Sequence, residues 1–282
     1  MIFGANTQIW VAPFKQADIA LVDKVADMGF GLIELGFASE TPPFDVAALR
    51  KRMDARGITA SVCSFQSADR DIANGDVAVR KNGIAYMKAM VATTAALGGR
   101  ILSGPLYCEL FRARYLPEDE RQKEWELSVN SLREIARSAE TRGVTIALEP
   151  LNRFETDFVN QSERAVKLVE DVGSQSVGIL LDTFHMAIEE KNQGDAIRRA
   201  GKHLKHFHSC ENDRGTPGTG QVDWQDVRKA LADIKYDGAV VIEGFNPDIV
   251  DLANGARIWR PMAPTPDRLA SDGIKFLTEL FH

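Results

Sequence analysis

Short apolar runs alternate with longer amphipathic stretches along the whole chain. The runs are IFGAN (2–6), GLIELGF (31–37), ITASVCSF (58–65), RILSGP (100–105), VTIALEP (144–150), VGILLDT (177–183), LKHFHSC (204–210) and AVVIEGF (239–245). Each has the length of a strand, and several are continuously apolar, as parallel strands buried on both faces are. Helical spacing of apolar positions fills 18–29 and 45–57. Further helices are predicted from about Asp76 to Leu97, from about Pro117 to Arg142, near 161–172, 185–201 and 223–236, and near 266–281. Gly29, Gly57, Gly98, Gly143, Gly173 and Gly238 stand at helix-to-strand junctions, where glycine suits a helix C-cap. Eight strand–helix units in 282 residues predict an α/β protein of one domain, a single (β/α)8 TIM barrel over 1–282. The runner-up is an open doubly wound sheet. It usually carries a glycine-rich loop after its first strand, but NTQIWVAPF stands there, with no G-x-G-x-x-G.

A barrel brings the C-terminal ends of its strands to one pocket. The fifth run delivers Glu149 there, the sixth Asp182 with His185 just beyond, the seventh His206 and His208, and the eighth Glu243. One such carboxylate alone is most often a solvated loop residue or a helix cap. Four groups at consecutive strand ends make a site. Two glutamates, an aspartate and a histidine offer three hard oxygens and one imidazole nitrogen. That set suits a divalent ion that keeps positions open for substrate, with Mn2+ the first expectation. His206 and His208 share one strand face, and spacing does not choose between them. Asp182 also suits the N-cap of the next helix, which puts His185 at the pocket rim as a donor. Arg214 lies in SCENDRGTPGTGQVDW, an irregular turn shaped by Gly215, Pro217, Gly218 and Gly220, from which it can grip a substrate oxygen. His203 precedes its strand and is expected to be exposed.

Composition is that of an ordinary globular protein, 44% hydrophobic and 26% charged. A net charge of −6 argues against a nucleic-acid partner. No apolar run is long enough to span a bilayer, which argues against a membrane partner, and MIFGANTQIW lacks the pattern of a signal peptide. Cys63, Cys108 and Cys210, odd in number and far apart, suggest reduced thiols in a cytoplasmic protein.

Four stretches in order, EPLNRFETDFVN (149–160), LDTFHM (181–186), HFHSCENDRGTPGTGQVDW (206–224) and VIEGF (241–245), resemble the ketose 3-epimerases, which include the D-tagatose and D-psicose (allulose) 3-epimerases of the xylose-isomerase-like barrel superfamily. The resemblance implies a metal, Mn2+ with Co2+ or Mg2+ as alternatives, held by Glu149, Asp182, His208 and Glu243. It makes His206 a supporting or core histidine. It implies that Glu155, His185 and Arg214 contact the sugar near its carbonyl end. Cys63, Leu106, Phe245 and Trp10 are candidate apolar walls. Relatives often carry a tryptophan in the loop after strand four; here Leu110 and Phe111 stand instead, which bears on the preferred ketose. The implied reaction inverts C3 of a free ketose. Glu149 and Glu243 act as acid and base on opposite faces, and the metal stabilises an enediolate. The resemblance further implies a homodimer or homotetramer, with 246–265 as an interface or a lid. Hydroxypyruvate isomerase or inosose dehydratase activity is the alternative within the superfamily. A metal-dependent abasic-site endonuclease, or a sugar binder without catalysis, is further off.

Overall fold

The computed structural model describes residues 1–282. Eight strands pair in parallel in chain order and close on themselves: β1 (Ile2–Asn6), β2 (Leu32–Gly36), β3 (Thr59–Cys63), β4 (Ile101–Gly104), β5 (Thr145–Leu148), β6 (Val177–Asp182), β7 (Leu204–Ser209) and β8 (Ala239–Ile242). β8 returns to β1 with Gly4 opposite Val241. The expected barrel is therefore present, and each strand lies within or at the edge of its apolar run.

Ten helices surround the barrel: α1 (Leu21–Asp27), α2 (Val46–Arg56), α3 (Val77–Ala96), α4 (Glu118–Glu140), α5 (Ser162–Val172), α6 (Thr183–Glu189), α7 (Gln193–Ala200), α8 (Trp224–Asp233), α9 (Val250–Ala256) and α10 (Pro266–Phe281). Three differ from expectation. The single helix expected over 185–201 is two, because Asn192 leaves helical geometry and caps α7 by accepting the Asp195 N–H at 2.6 Å. The first helix is shorter than 18–29, since Gln16–Asp18 forms a separate 3-10 turn. α9 arises inside 246–265, where no helix was expected. Ile258 folds back and is buried, whereas Trp259 is 70% exposed.

Five of the six junction glycines have positive φ, for example 66° at Gly57 and 72° at Gly173. Gly238 does not. Lys235 takes the left-handed position after α8 instead, at φ 56°.

The two-residue period of each strand sorts its side chains. Ile33, Leu35, Val62, Leu102, Ile146, Leu148, Ile179, Leu181, Phe207, Val240 and Ile242 belong to the large buried cluster shared with the helices. The alternate positions of β2 and β8 hold a small separate cluster, Leu32, Ala239 and Val241, with Ile2 packed against it. That cluster plugs the barrel interior. Two residues further along the same strand faces, the interior turns polar and becomes the floor of the site.

Candidate active site

Glu149 follows β5, Asp182 ends β6, His208 lies near the end of β7 and Glu243 follows β8. All four are buried. One ligand-capable atom from each lies within 4.8 Å of the others. Asp182 is opposite His208, and His208 opposite Val241, in the strand register, so pairing alone brings three elements of the site side by side.

His208 Nδ1 points among the carboxylates, 3.3 Å from Glu243 Oε1, 3.8 Å from Asp182 Oδ2 and 3.9 Å from Glu149 Oε1. Its other nitrogen, Nε2, donates to Glu34 Oε1 at 2.7 Å. His206 Nε2 meets the other Glu34 oxygen at 2.7 Å. The two histidines thus share a strand face, but only His208 reaches the carboxylate cluster.

Glu34 was not singled out in the sequence. It is fully buried on β2, and besides the two histidines it accepts from Asn6 Nδ2 at 3.1 Å, Ser61 Oγ at 2.8 Å and Ser103 Oγ at 3.1 Å. The only signal was a charged residue inside the apolar run GLIELGF. Burial alone would raise its proton affinity, but His208 and His206 outweigh this and hold the carboxyl well below the usual range.

The two flanking glutamates are pushed apart. Burial and the Glu243 charge raise Glu149 well above the usual carboxylate range. Glu243 is also buried, yet His208 and Arg214 hold it down to about 2. For His208, burial is outweighed by Glu34 and Glu243, and its proton affinity lies well above that of a free imidazole.

Arg214 sits in the loop after β7, buried, with a left-handed φ of 70°. Such a conformation costs a non-glycine residue about 1–3 kcal/mol and needs support. Glu211 supplies it. Its carboxylate accepts the Gly218 N–H and Trp224 Nε1–H, each at 2.7 Å, and the Val222 N–H at 3.1 Å. Its carbonyl accepts the Arg214 N–H at 2.9 Å. Arg214 Nη1 then donates to both Asp182 Oδ2 and Glu243 Oε2 at 2.6 Å. Its guanidinium also lies 4.1 Å from the Phe184 ring and 4.9 Å from the Phe245 ring.

The remaining expected residues are distributed unevenly. His185 is buried beside Glu149, at 3.7 Å, and burial with the Arg214 charge lowers its proton affinity to about 3. Glu155 is half-buried and accepts from Asn152 Nδ2 at 2.8 Å. Cys63 ends β3 at the mouth, its thiol pushed up by burial and by the Glu34, Glu243 and Glu149 charges. Phe245 is half-buried beneath Arg214. Leu106 is fully buried within the large apolar cluster. Trp10 is half-buried and donates to Asp267 Oδ1 at 2.6 Å. Phe111 is exposed and lies under Arg257 of the 246–265 segment, at 5.3 Å. His203, expected to be exposed, is half-buried near Glu170, at 3.8 Å.

The cluster fits a divalent cation. Arg214 neutralises part of the charge of Asp182 and Glu243 but makes no hydrogen bond to Glu149, and a cation held by all three carboxylates with His208 would relieve the repulsion that is left. Glu149 Oε1 and His208 Nδ1, both buried, have no hydrogen-bond partner, which is how a metal-ligating atom looks without its ion. Hard oxygens with one imidazole suit a manganese- or magnesium-like ion better than zinc held by thiolates.

Comparisons with known proteins agree with this architecture. The sequence model of the xylose isomerase-like TIM barrel family matches residues 22–280. A D-psicose 3-epimerase of Ruminiclostridium cellulolyticum is 35% identical over 94% of this chain and 89% of its own. An L-ribulose 3-epimerase of Mesorhizobium japonicum is 32% identical over 97% and 92%. The solved structure of D-psicose 3-epimerase with D-tagatose from Clostridium cellulolyticum H10 superposes with a TM-score of 0.91 at 31% identity, covering 100% of both chains. With the barrel, the ordered strand-end residues and these full-length relatives, the chain belongs to the xylose isomerase-like TIM barrels and, among them, to the ketose 3-epimerases.

Proposed function

We propose that this chain is a metal-dependent epimerase that inverts C3 of free ketoses, of the D-fructose/D-psicose, D-tagatose/D-sorbose or ribulose/xylulose type. Glu149, Asp182, His208 and Glu243 hold a divalent ion, with Mn2+ first in order. Bound there, the ion supplies Lewis-acid stabilisation of negative charge on the sugar oxygens around C2 and C3.

The C3 hydrogen is acidic because it lies next to the C2 carbonyl, and its removal leaves an enediolate. Inversion then requires a proton from the opposite face. The observation that carries the reading is a pair of buried carboxylates, Glu149 after β5 and Glu243 after β8, delivered from either side of Asp182 and His208 to one cluster. One can give a proton while the other takes one, which is the arrangement acid–base chemistry needs. Arg214 and His185 present N–H groups at the same pocket, and with Glu155 they hold the carbonyl end of the sugar. Cys63, Leu106 and Phe245 are proposed to wall the apolar side. The free thiols support a cytoplasmic setting, and exposed Trp259 and Phe154 at the barrel mouth support a homodimer or homotetramer.

The test is isotope exchange. The Mn2+-loaded protein, incubated with each ketose in D2O, incorporates deuterium at C3 as the 3-epimer forms. Glu149→Gln and Glu243→Gln each lower that exchange by at least about 10²-fold while ketose binding persists. No exchange on any ketose with metal bound overturns the reading, and directs attention to hydroxypyruvate and inosose substrates.

A further inference from the structure

Asn152 stands between Glu155 and His185 and has no role in the chemistry above. It is buried. Its Oδ1 accepts the Phe154 N–H at 3.0 Å, which fixes the orientation of the amide, so Nδ2 is the end that faces the pocket. Nδ2 donates to Glu155 Oε1 at 2.8 Å and lies 3.0 Å from His185 Nδ1. The Asn152 backbone N–H donates to the same Nδ1 at 3.0 Å.

A backbone N–H can only donate. His185 Nδ1 therefore presents its lone pair, and a neutral ring carries its hydrogen on Nε2. Nε2 faces Arg214 Nη2 at 2.9 Å. A guanidinium also only donates. The opposite tautomer would accept from Arg214 but set both Asn152 donors against an N–H. The Nε2–H tautomer leaves one such confrontation instead of two. The remaining pair of donors is satisfied when a single oxygen accepts from both.

We propose that Asn152 is a positioning residue that sets the tautomer of His185, so that His185 Nε2–H and Arg214 form a two-donor fork for one substrate oxygen. His185 then acts as a hydrogen-bond donor and not as a base. The identity of that oxygen, in a free ketose, rests on the epimerase reading; the tautomer is a property of the resting protein.

The experiment has two arms. In the first, ring 15N shifts are read at neutral pH on the metal-free, imidazole-labelled full chain, with His185 assigned by its loss in His185→Gln. A protonated Nε2 with a bare Nδ1 is expected; a protonated Nδ1 overturns the proposal. In the second, Asn152→Asp and Asn152→Ala are compared on D-fructose with Mn2+. Aspartate keeps the turn, since its oxygen still accepts the Phe154 N–H, but it offers His185 and Glu155 an acceptor in place of a donor. Both variants are expected to lose kcat/KM on the order of 10–100-fold, with a changed His185 ring signal in Asn152→Asp. If Asn152→Asp keeps the original kcat/KM and ring signal while only Asn152→Ala is impaired, the residue serves the turn alone and the proposal fails. Absence of turnover in the unsubstituted protein would sink the epimerase reading instead, and the first arm still decides the tautomer.

Discussion

Replacing Glu34 by glutamine tests the floor of the site. The substitution is isosteric but turns one carboxylate oxygen into a donor. Oε1 accepts from His208 Nε2 and Asn6 Nδ2; Oε2 accepts from His206 Nε2, Ser61 Oγ and Ser103 Oγ. The amide NH2 fits better at the Oε2 position. There the serine hydroxyls can rotate to accept, and His206, whose Nδ1 has no partner, can move its hydrogen to Nδ1. The amide oxygen then keeps His208 and Asn6. What is lost is the charge on hydrogen bonds to two imidazoles, each worth about 1.5–3 kcal/mol when charge-assisted. Glu34→Gln is therefore expected to cost about 3 kcal/mol of stability, a large part of the roughly 5–15 kcal/mol of a typical domain. His208 keeps its direction but loses basicity, so metal affinity falls about 10–100-fold. Urea denaturation of the metal-free protein and calorimetric titration with Mn2+ measure the two quantities. Unfolding within about 1 kcal/mol of the original, together with unchanged metal affinity, would refute the argument that Glu34 holds His208 for a metal.

Three further outcomes follow from the same geometry. Arg214→Ala leaves Asp182 and Glu243 buried without their shared donor, so the metal-free protein loses about 3–5 kcal/mol; Mn2+ restores more of its Tm than it adds to the unsubstituted protein, and equal metal-induced shifts would contradict this. His185 binds a proton at about 3 when folded and near 6.5 when unfolded, so its contribution is intact above 6.5 and is lost as pH falls through that window. Stability of the metal-free protein should drop by about 1.4 kcal/mol per pH unit below 6.5 from this group, and urea midpoints of His185→Gln should show a correspondingly shallower fall. Glu211→Gln replaces an acceptor of three N–H groups, loosens the loop that carries Arg214 and shifts Trp224 fluorescence, with a loss of about 1–3 kcal/mol; an unaltered spectrum and stability would show that the loop holds without it.

Much of the fold was legible because its signals are local. Continuous apolar runs specify strands buried on both faces, and glycine after a helical pattern specifies the left-handed cap. The departures have local causes that the pattern did not weigh. Asn192 outcompeted the continuation of α6, and Lys235 took the strained position expected of Gly238. α9 formed in 246–265, where the apolar positions are too few to announce a helix. His203 was expected to be exposed from its place before β7, but it is half-buried with Glu170 of α5 3.8 Å away.

By itself the sequence determined which residues end the strands, in what order, and which share a strand face, because a two-residue period is a property of the extended chain. Glu149, Asp182, the histidine pair and Glu243 could be named on that ground. Spacing left open which histidine reaches the carboxylates, and the resemblance implied His208. The physical reason lies in the closed barrel, since it depends on the register between β6, β7 and β8 and on depth within the barrel. The closed barrel alone revealed Glu34, whose partners lie on β1, β3, β4 and β7, and Asn152, whose meaning depends on a histidine 33 residues away. Hydrogen-bond partners across such separations leave no periodic trace, and a buried polar residue acquires its role from what surrounds it.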